Sequence, residues 1–212
     1  MLRLGLALAL ALGLTLPPAA FAGAGSGTRF EVTVTSNAAP GPVTVVTSVM
    51  GDAIRTESTA GGVTTVVITT GGMTYLLNDS LMLAQATPVR SPGDNLPQSQ
   101  AKYWALADPT QVTPSRLPGL FQELGARSLG TDTLEGRQVE AWALSIPADV
   151  EFPLNNFRLY LDPKISRPVR MDFQRDKSES VQVRFGNSEE GVALDPSLFE
   201  VPEGYRIVEY EW

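Results

Sequence analysis

"NFRLYLDPKISRPVRMDFQRDKSESVQVRFGN", residues 156–187, decides the fold. Phe157, Leu159 and Leu161 alternate with Arg158 and Tyr160. Val169, Met171 and Phe173 do the same with Arg170 and Asp172, and Val181, Val183 and Phe185 with Gln182 and Arg184. Successive residues of a strand point to opposite faces, so each of these three runs carries one apolar and one wet side. Repeated over neighbouring strands, that pattern predicts an antiparallel sheet with a single buried face.

Outward from this stretch the texture is mainly β. From Thr28 to about Gln85, "TRFEVTVTSN" places Phe30, Val32 and Val34 on one side. "PVTVVTSVM" follows the Ala39-Pro40-Gly41 turn, and further strands are divided by Gly61-Gly62, Gly71-Gly72 and Asn78-Asp79. Such pairs between β-branched runs predict consecutive hairpins. An insert from Ala86 to Gly125 interrupts them, with prolines at 88, 92, 97, 109, 114 and 118. Proline lacks the ladder donor, so the insert is read as irregular chain with short helices at "QSQAKYWALA" and "SRLPGLFQELGA". The second helix lines up Leu117, Leu120, Phe121 and Leu124 on one face, with Pro118 in its first turn. Irregular inserts of this length are often lids, and Tyr103 and Trp104 are its candidate inner anchors. Strands resume at "RQVEAWALSI" and end with "YRIVEYEW", reached through the "FEVPEGY" turn. The wide apolar face is closed either by full packing, as in a sandwich or filled barrel, or by a curled sheet and lid around a ligand cavity.

The N-terminus addresses the compartment. Arg3, an apolar run from Leu4 to Leu16, Pro17-Pro18 and Ala20-Phe21-Ala22 form a three-part secretory signal, with cleavage expected after Ala22. At about 1.5 Å per residue the apolar run is too short to cross a ~30 Å hydrocarbon core. Residues 23–212 are then expected to be one domain, exported to the periplasm or secreted, and not membrane-anchored. The chain has no cysteine, so it has neither a lipid-attachment cysteine nor a disulfide. Lys and Arg number 16 against 23 Asp and Glu, a net charge of −7. That balance argues against nucleic acid and against anionic lipid surfaces as partners.

"GDAIRTES", "EGRQVEAWAL", "FRLYLDPKISRPVRMDF" and "LDPSLFEVPEGY" together resemble the LolA/LolB-like lipoprotein-carrier superfamily, in its outer-membrane lipoprotein-sorting branch. The resemblance covers most of residues 28–212. It implies a half-open, strongly curved antiparallel β-barrel whose apolar concave face is covered by short helices, with the terminal strand completing the barrel. It implies lipid or lipoprotein acyl chains as cargo, held by Phe30, Val32, Val34, Tyr103, Trp104, Phe157, Leu159, Leu161, Val169, Met171, Phe173, Val181, Val183 and Phe185. Arg55 occupies a position loosely similar to the carriers' lid-latching arginine; an exposed strand arginine is the other reading. The carriers' helix before the first strand has no counterpart, because Phe30 follows the expected cleavage site closely. Relatives of this fold also act as envelope sensors, so an envelope protein partner is the alternative.

Catalysis lacks its usual materials. With no histidine and no cysteine there is no Ser-His-Asp triad, Cys-His pair or usual zinc or haem site. The acidic pairs Glu189-Glu190 and Asp149/Glu151 are read as solvated charge in turns. "GTDTLEG" and "NSEEG" lack the ligand spacing of a calcium loop. No cofactor, no metal and no enzymatic activity are expected.

Overall fold

Hairpin turns build the first run of strands. β1 (Ser26–Ser36), β2 (Val43–Met50), β3 (Ala53–Ala60), β4 (Val63–Thr70), β5 (Met73–Asn78) and β6 (Leu83–Pro88) follow one another closely in the chain. Gly61 and Gly62 have φ of 56° and 80°, and Gly71 and Gly72 57° and 76°. Two left-handed residues in succession are what a type I′ hairpin turn requires, and glycine adopts them without a Cβ penalty. The Gly-Gly hairpins read from the sequence are present.

The second run comprises β7 (Arg127–Leu134), β8 (Arg137–Leu144), β9 (Leu154–Asp162), β10 (Arg167–Arg175), β11 (Glu179–Ala193) and β12 (Arg206–Glu209). Between the runs, the described residues hold a 3-10 turn, Pro114–Arg116, and one α-helix, α1 (Leu117–Glu123). Further 3-10 turns, Asp79–Leu81 and Pro196–Phe199, precede β6 and β12. This computed structural model describes residues 25–89, 103, 106, 112–148, 150, 152–175 and 179–210. The expected signal segment, Trp104, the Asp149/Glu151 pair, Pro92, Pro97, Pro109 and most of the helix expected at 98–107 lie outside them.

The fold is mainly β, as expected: one unclosed twelve-stranded sheet in the order β12-β6-β5-β4-β3-β2-β1-β11-β10-β9-β8-β7. Its free edges are therefore β12 and β7. The terminal strand extends the sheet rather than closing it, pairing parallel to β6 with Arg206 opposite Leu83 and Glu209 opposite Ala86. The chain divides into two compact units, one of Met1–Glu31, Val43–Ser91 and Asn187–Trp212, the other of Val32–Pro42 and Pro92–Gly186.

Several local expectations are corrected. β7 was not legible as a strand: "RSLGTDTL" is exposed along nearly its whole length, so no apolar alternation marks it. "NSEEG" is not a turn but part of β11, and Glu189 and Glu190 are exposed strand residues. Ala86–Pro88 belong to β6, not to the insert, with Met73 opposite Pro88 and Tyr75 opposite Ala86. Pro88 fits there because it is the strand's last residue.

Helix α1 ends as its sequence dictates. Gly125 adopts φ 82°, its N–H donates to Gln122 O, and the Ala126 N–H donates to Phe121 O. These two bonds form a Schellman cap, which satisfies carbonyls left open at a helix C-terminus.

Candidate functional site

Within the second unit, registry assembles the apolar face. Met171 on β10 stands opposite both Leu159 on β9 and Val183 on β11, and Phe173 stands opposite Val181. Leu159, Met171 and Val183 are each 0% exposed. Leu144 on β8 extends the wall opposite Phe157, and Trp142 extends it opposite Leu159. The Trp142 indole N–H is buried and, among the described residues, has no hydrogen-bond partner.

Helix α1 covers part of this wall. Its Leu117 and Phe121 are fully buried, and Phe121 meets Phe157 edge-on, ring centres 6.4 Å apart at 87°. Phe157 packs in turn on Phe173 at 5.4 Å and on Phe152 at 6.4 Å. Among the described residues no side-chain hydrogen bond or ion pair ties α1 to the sheet. Its described contacts with the wall are apolar.

The expected ligand-lining residues divide as follows. Phe157, Leu159, Leu161, Met171, Phe173, Val181 and Val183 share the wall and are buried, and Phe185 at its end is half-buried. Val32, Val34 and Tyr103 are also buried in this unit, whereas Phe30, 1% exposed, belongs to the other. Val169 is a correction. Between Pro168 and Arg170 the β9–β10 register shifts, so Pro168 takes the slot opposite Leu161. The extra residue of a β-bulge turns the alternation over. Val169 therefore packs on the opposite side, against Val139, Ala141 and Tyr160. The expectation of a single buried face is corrected with it, since this cluster lies on the side read as wet.

The first unit repeats that lesson. Ile68, Leu77 and Ala84 form a core under Val201 and Tyr205, delivered by the C-terminal segment. Arg55 stands on β3 opposite Ile68, half-buried. Its Nε donates to Glu57 Oε1 at 2.7 Å and its Nη1 to the Leu198 carbonyl at 3.2 Å. Arg55 thus latches the 3-10 turn Pro196–Phe199, a partner the sequence did not reveal. Asp195 caps that turn by accepting from Ser197 N at 2.9 Å, and the backbone bond holds its carboxyl below the usual range. The Tyr205 hydroxyl donates to Asp79, which raises the Tyr205 pKa.

The wet side of the second unit carries a groove of about 770 Å3, whose lining includes Arg127, Ala143, Arg158, Arg170, Asp172, Gln174 and Gln182. Sequence reading gave no sign of it, because its members come from six strands. Among the described residues there is no cluster of three or more acidic, His or Cys side chains placed to hold a metal, and no helix long and apolar enough to cross a membrane.

No protein-family model matches this chain. No curated protein matches it. Among solved structures it is similar to an uncharacterized conserved protein from Thermus thermophilus, at 10% identity over 88% of this chain and 91% of that one, with a TM-score of 0.54. It also matches the MucA/MucB complex of Pseudomonas aeruginosa, at 17% identity over 86% of this chain, with a TM-score of 0.43; the match spans 58% of that chain. A putative outer membrane lipoprotein-sorting protein domain from Vibrio parahaemolyticus matches at 13% identity over 83% and 90%, with a TM-score of 0.43. The likeness to the Thermus thermophilus protein is one of overall fold.

Proposed function

We propose that this protein is a non-catalytic carrier or binder of acyl chains or other apolar ligands, exported to the cell envelope. One observation carries the reading: an apolar wall with a seven-residue helix as cover, held among the described residues by apolar packing. Uncovering Leu117 and Phe121 costs roughly 1.5–3 kcal/mol each, while an acyl chain gains ~0.8 kcal/mol per buried methylene. A ligand that buries roughly four to eight methylenes therefore offsets the loss of the helix contact. The unpartnered indole of Trp142 adds a donor beside Leu159 for an ester or amide carbonyl, where an unmet buried N–H otherwise costs about 1–3 kcal/mol. The insert acts as the lid, with Tyr103 on its inner side, and residues 1–22 as the export signal.

The expected outcome is stoichiometric binding of a long-chain fluorescent probe, weakened at least about tenfold by Leu159→Asp or Met171→Asp, because a buried carboxylate is costly in an apolar wall. Equal affinity in a folded variant would place the ligand elsewhere. Native mass spectrometry of protein from its own host identifies any cargo.

A second reading, a module that binds an envelope protein, rests on the β12 edge. Ile207, Tyr210, Leu81 and Met82 lie there, 52%, 47%, 69% and 45% exposed. An open edge with apolar side chains suits strand addition. Copurification of a protein in place of lipid, lost in Ile207→Lys, favours this reading over the first.

A further inference from the structure

We propose that the groove on the wet side of the second unit is a phosphate-binding site formed by Arg127 and Arg158 across Ala143. The proposal does not rest on the acyl-chain reading: Arg158 alternates with the wall residues Phe157 and Leu159, although Leu144, Phe157, Phe173 and Val181 of the wall also border the groove. Registry places its members in one row: Arg127 stands opposite Ala143, Ala143 opposite Arg158, Arg158 opposite Asp172, and Asp172 opposite Gln182. Directly opposed residues share a face, and strands lie about 4.8 Å apart, so the two arginine backbones are about 10 Å apart with a methyl group between them. Two long guanidinium arms over a small floor make a clamp.

The chemistry of the lining selects an anion. Its carboxylate, Asp172, is already matched: Arg170 Nε donates to Oδ1 at 2.6 Å and Nη2 to Oδ2 at 2.7 Å. Arg170 is held above its ordinary pKa by that pair and stays charged. Among the described residues Arg127 and Arg158 have no partner, which leaves two uncompensated positive charges in a chain whose net charge is −7. The amides are oriented the same way. Gln174 Oε1 accepts from Asn156 Nδ2 at 2.7 Å, and Gln182 Oε1 accepts from Arg184 Nε at 3.0 Å. Both therefore have an oxygen engaged and amide N–H donors in hand. A donor-lined groove with two planar forks and two spare positive charges fits a phosphate dianion, which accepts bidentately from arginine. The phosphate belongs either to a small free phosphate or to a phosphorylated lipid headgroup.

The test measures calorimetric binding of inorganic phosphate in a phosphate-free buffer. In parallel, the protein is sedimented with phosphatidylcholine vesicles prepared with and without phosphatidic acid. Wild type is compared with the double variant R127Q/R158Q, with Ala143→Glu, which sets a carboxylate on the floor, and with Arg206→Gln as a control in the other unit. Arg127 and Arg158 make no ties among the described residues, so their loss leaves the fold intact by circular dichroism. The expected result is binding in at least one arm, weakened roughly tenfold or more per lost arginine. Binding is abolished in Ala143→Glu, unchanged in Arg206→Gln, and falls as salt rises. Free phosphate alone binding identifies a small ligand, and vesicles alone binding identifies a headgroup. No binding in either arm, or binding that the double variant retains, overturns the proposal. So does capture of a polyglutamate peptide through these arginines when phosphate is not bound.

Discussion

Two covers lie on the two units, and they are held by different physics. In the first, the C-terminal segment lies over Ile68, Leu77 and Ala84 and is also pinned by polar bonds, from Arg55 to Leu198 O and from Tyr205 to Asp79. In the second, α1 lies over Phe157 by aromatic and leucine contact, with its C-terminal carbonyls satisfied by its own cap. Directional bonds specify one partner and one geometry, whereas apolar burial accepts any apolar surface of suitable shape. On the proposed carrier reading, a ligand would therefore replace the second cover rather than the first. On that reading, one cover is structural and the other exchangeable.

The largest expected effect tests the exchangeable cover. Phe121→Ala removes the ring that meets Phe157 and leaves a cavity under α1, at a cost of about 3–5 kcal/mol, read as a shift in urea midpoint. Hydrogen exchange separates loss of the cover from loss of the unit. Amides of Leu117–Glu123 should exchange faster in the variant while those of β9 to β11 stay protected, and an added apolar probe should slow α1 in wild type. If α1 is as protected as the strands in wild type and the probe changes nothing, the cover is a fixed part of the core.

A smaller effect tests the pinned cover. Arg55→Ala frees the Leu198 carbonyl and unpairs Glu57, for about 1 kcal/mol of stability, given the half-exposed setting of the pair. Lysine has one point charge in place of a planar fork, so Arg55→Lys should recover little of it. Probe affinity should be unchanged in both. A change in affinity would mean that Arg55 does govern access to the ligand, as a lid latch would.

What the sequence disclosed follows the same division. Alternation and Gly-Gly turns are local signals, and they located the hairpins and the apolar wall. Pro118 in the first turn and the leucine spacing likewise marked α1. Features that depend on registry stayed hidden. Val169 alternates in phase with Met171 in the sequence, yet the bulge after Pro168 sends it to the other side. β7 lies at an edge and buries almost nothing, so it carries no pattern. Arg55 was singled out by resemblance, but its carbonyl partner lies at Leu198, far along the chain. The row from Arg127 to Gln182 spans five strands and has no trace in any one of them.

The smallest expected effect is a titration, and it probes the second polar tie of the pinned cover. The Tyr205 hydroxyl donates to the Asp79 carboxylate, and this hydrogen bond is the largest cause of its raised pKa. Ionising the phenol removes the donated proton and sets two negative groups together, so the folded state favours the neutral ring. A group whose folded pKa is raised contributes stability that is complete below its unfolded pKa, here about 10, and that fades as pH rises through the folded value. The tie therefore serves throughout the neutral range and is lost only in alkali. Because Tyr205 sits at the surface, its contribution is small, and the titration is a finer readout than stability. The difference in ultraviolet absorbance between wild type and Tyr205→Phe should report a phenol that ionises above the ordinary tyrosine range. Asp79→Asn should bring that ionisation back toward the ordinary value while leaving Arg55 bound to Leu198. An unshifted phenol in wild type would mean that this bond does not persist in solution, leaving Arg55 to pin the cover by its side chain beside the backbone bonds of β12 to β6.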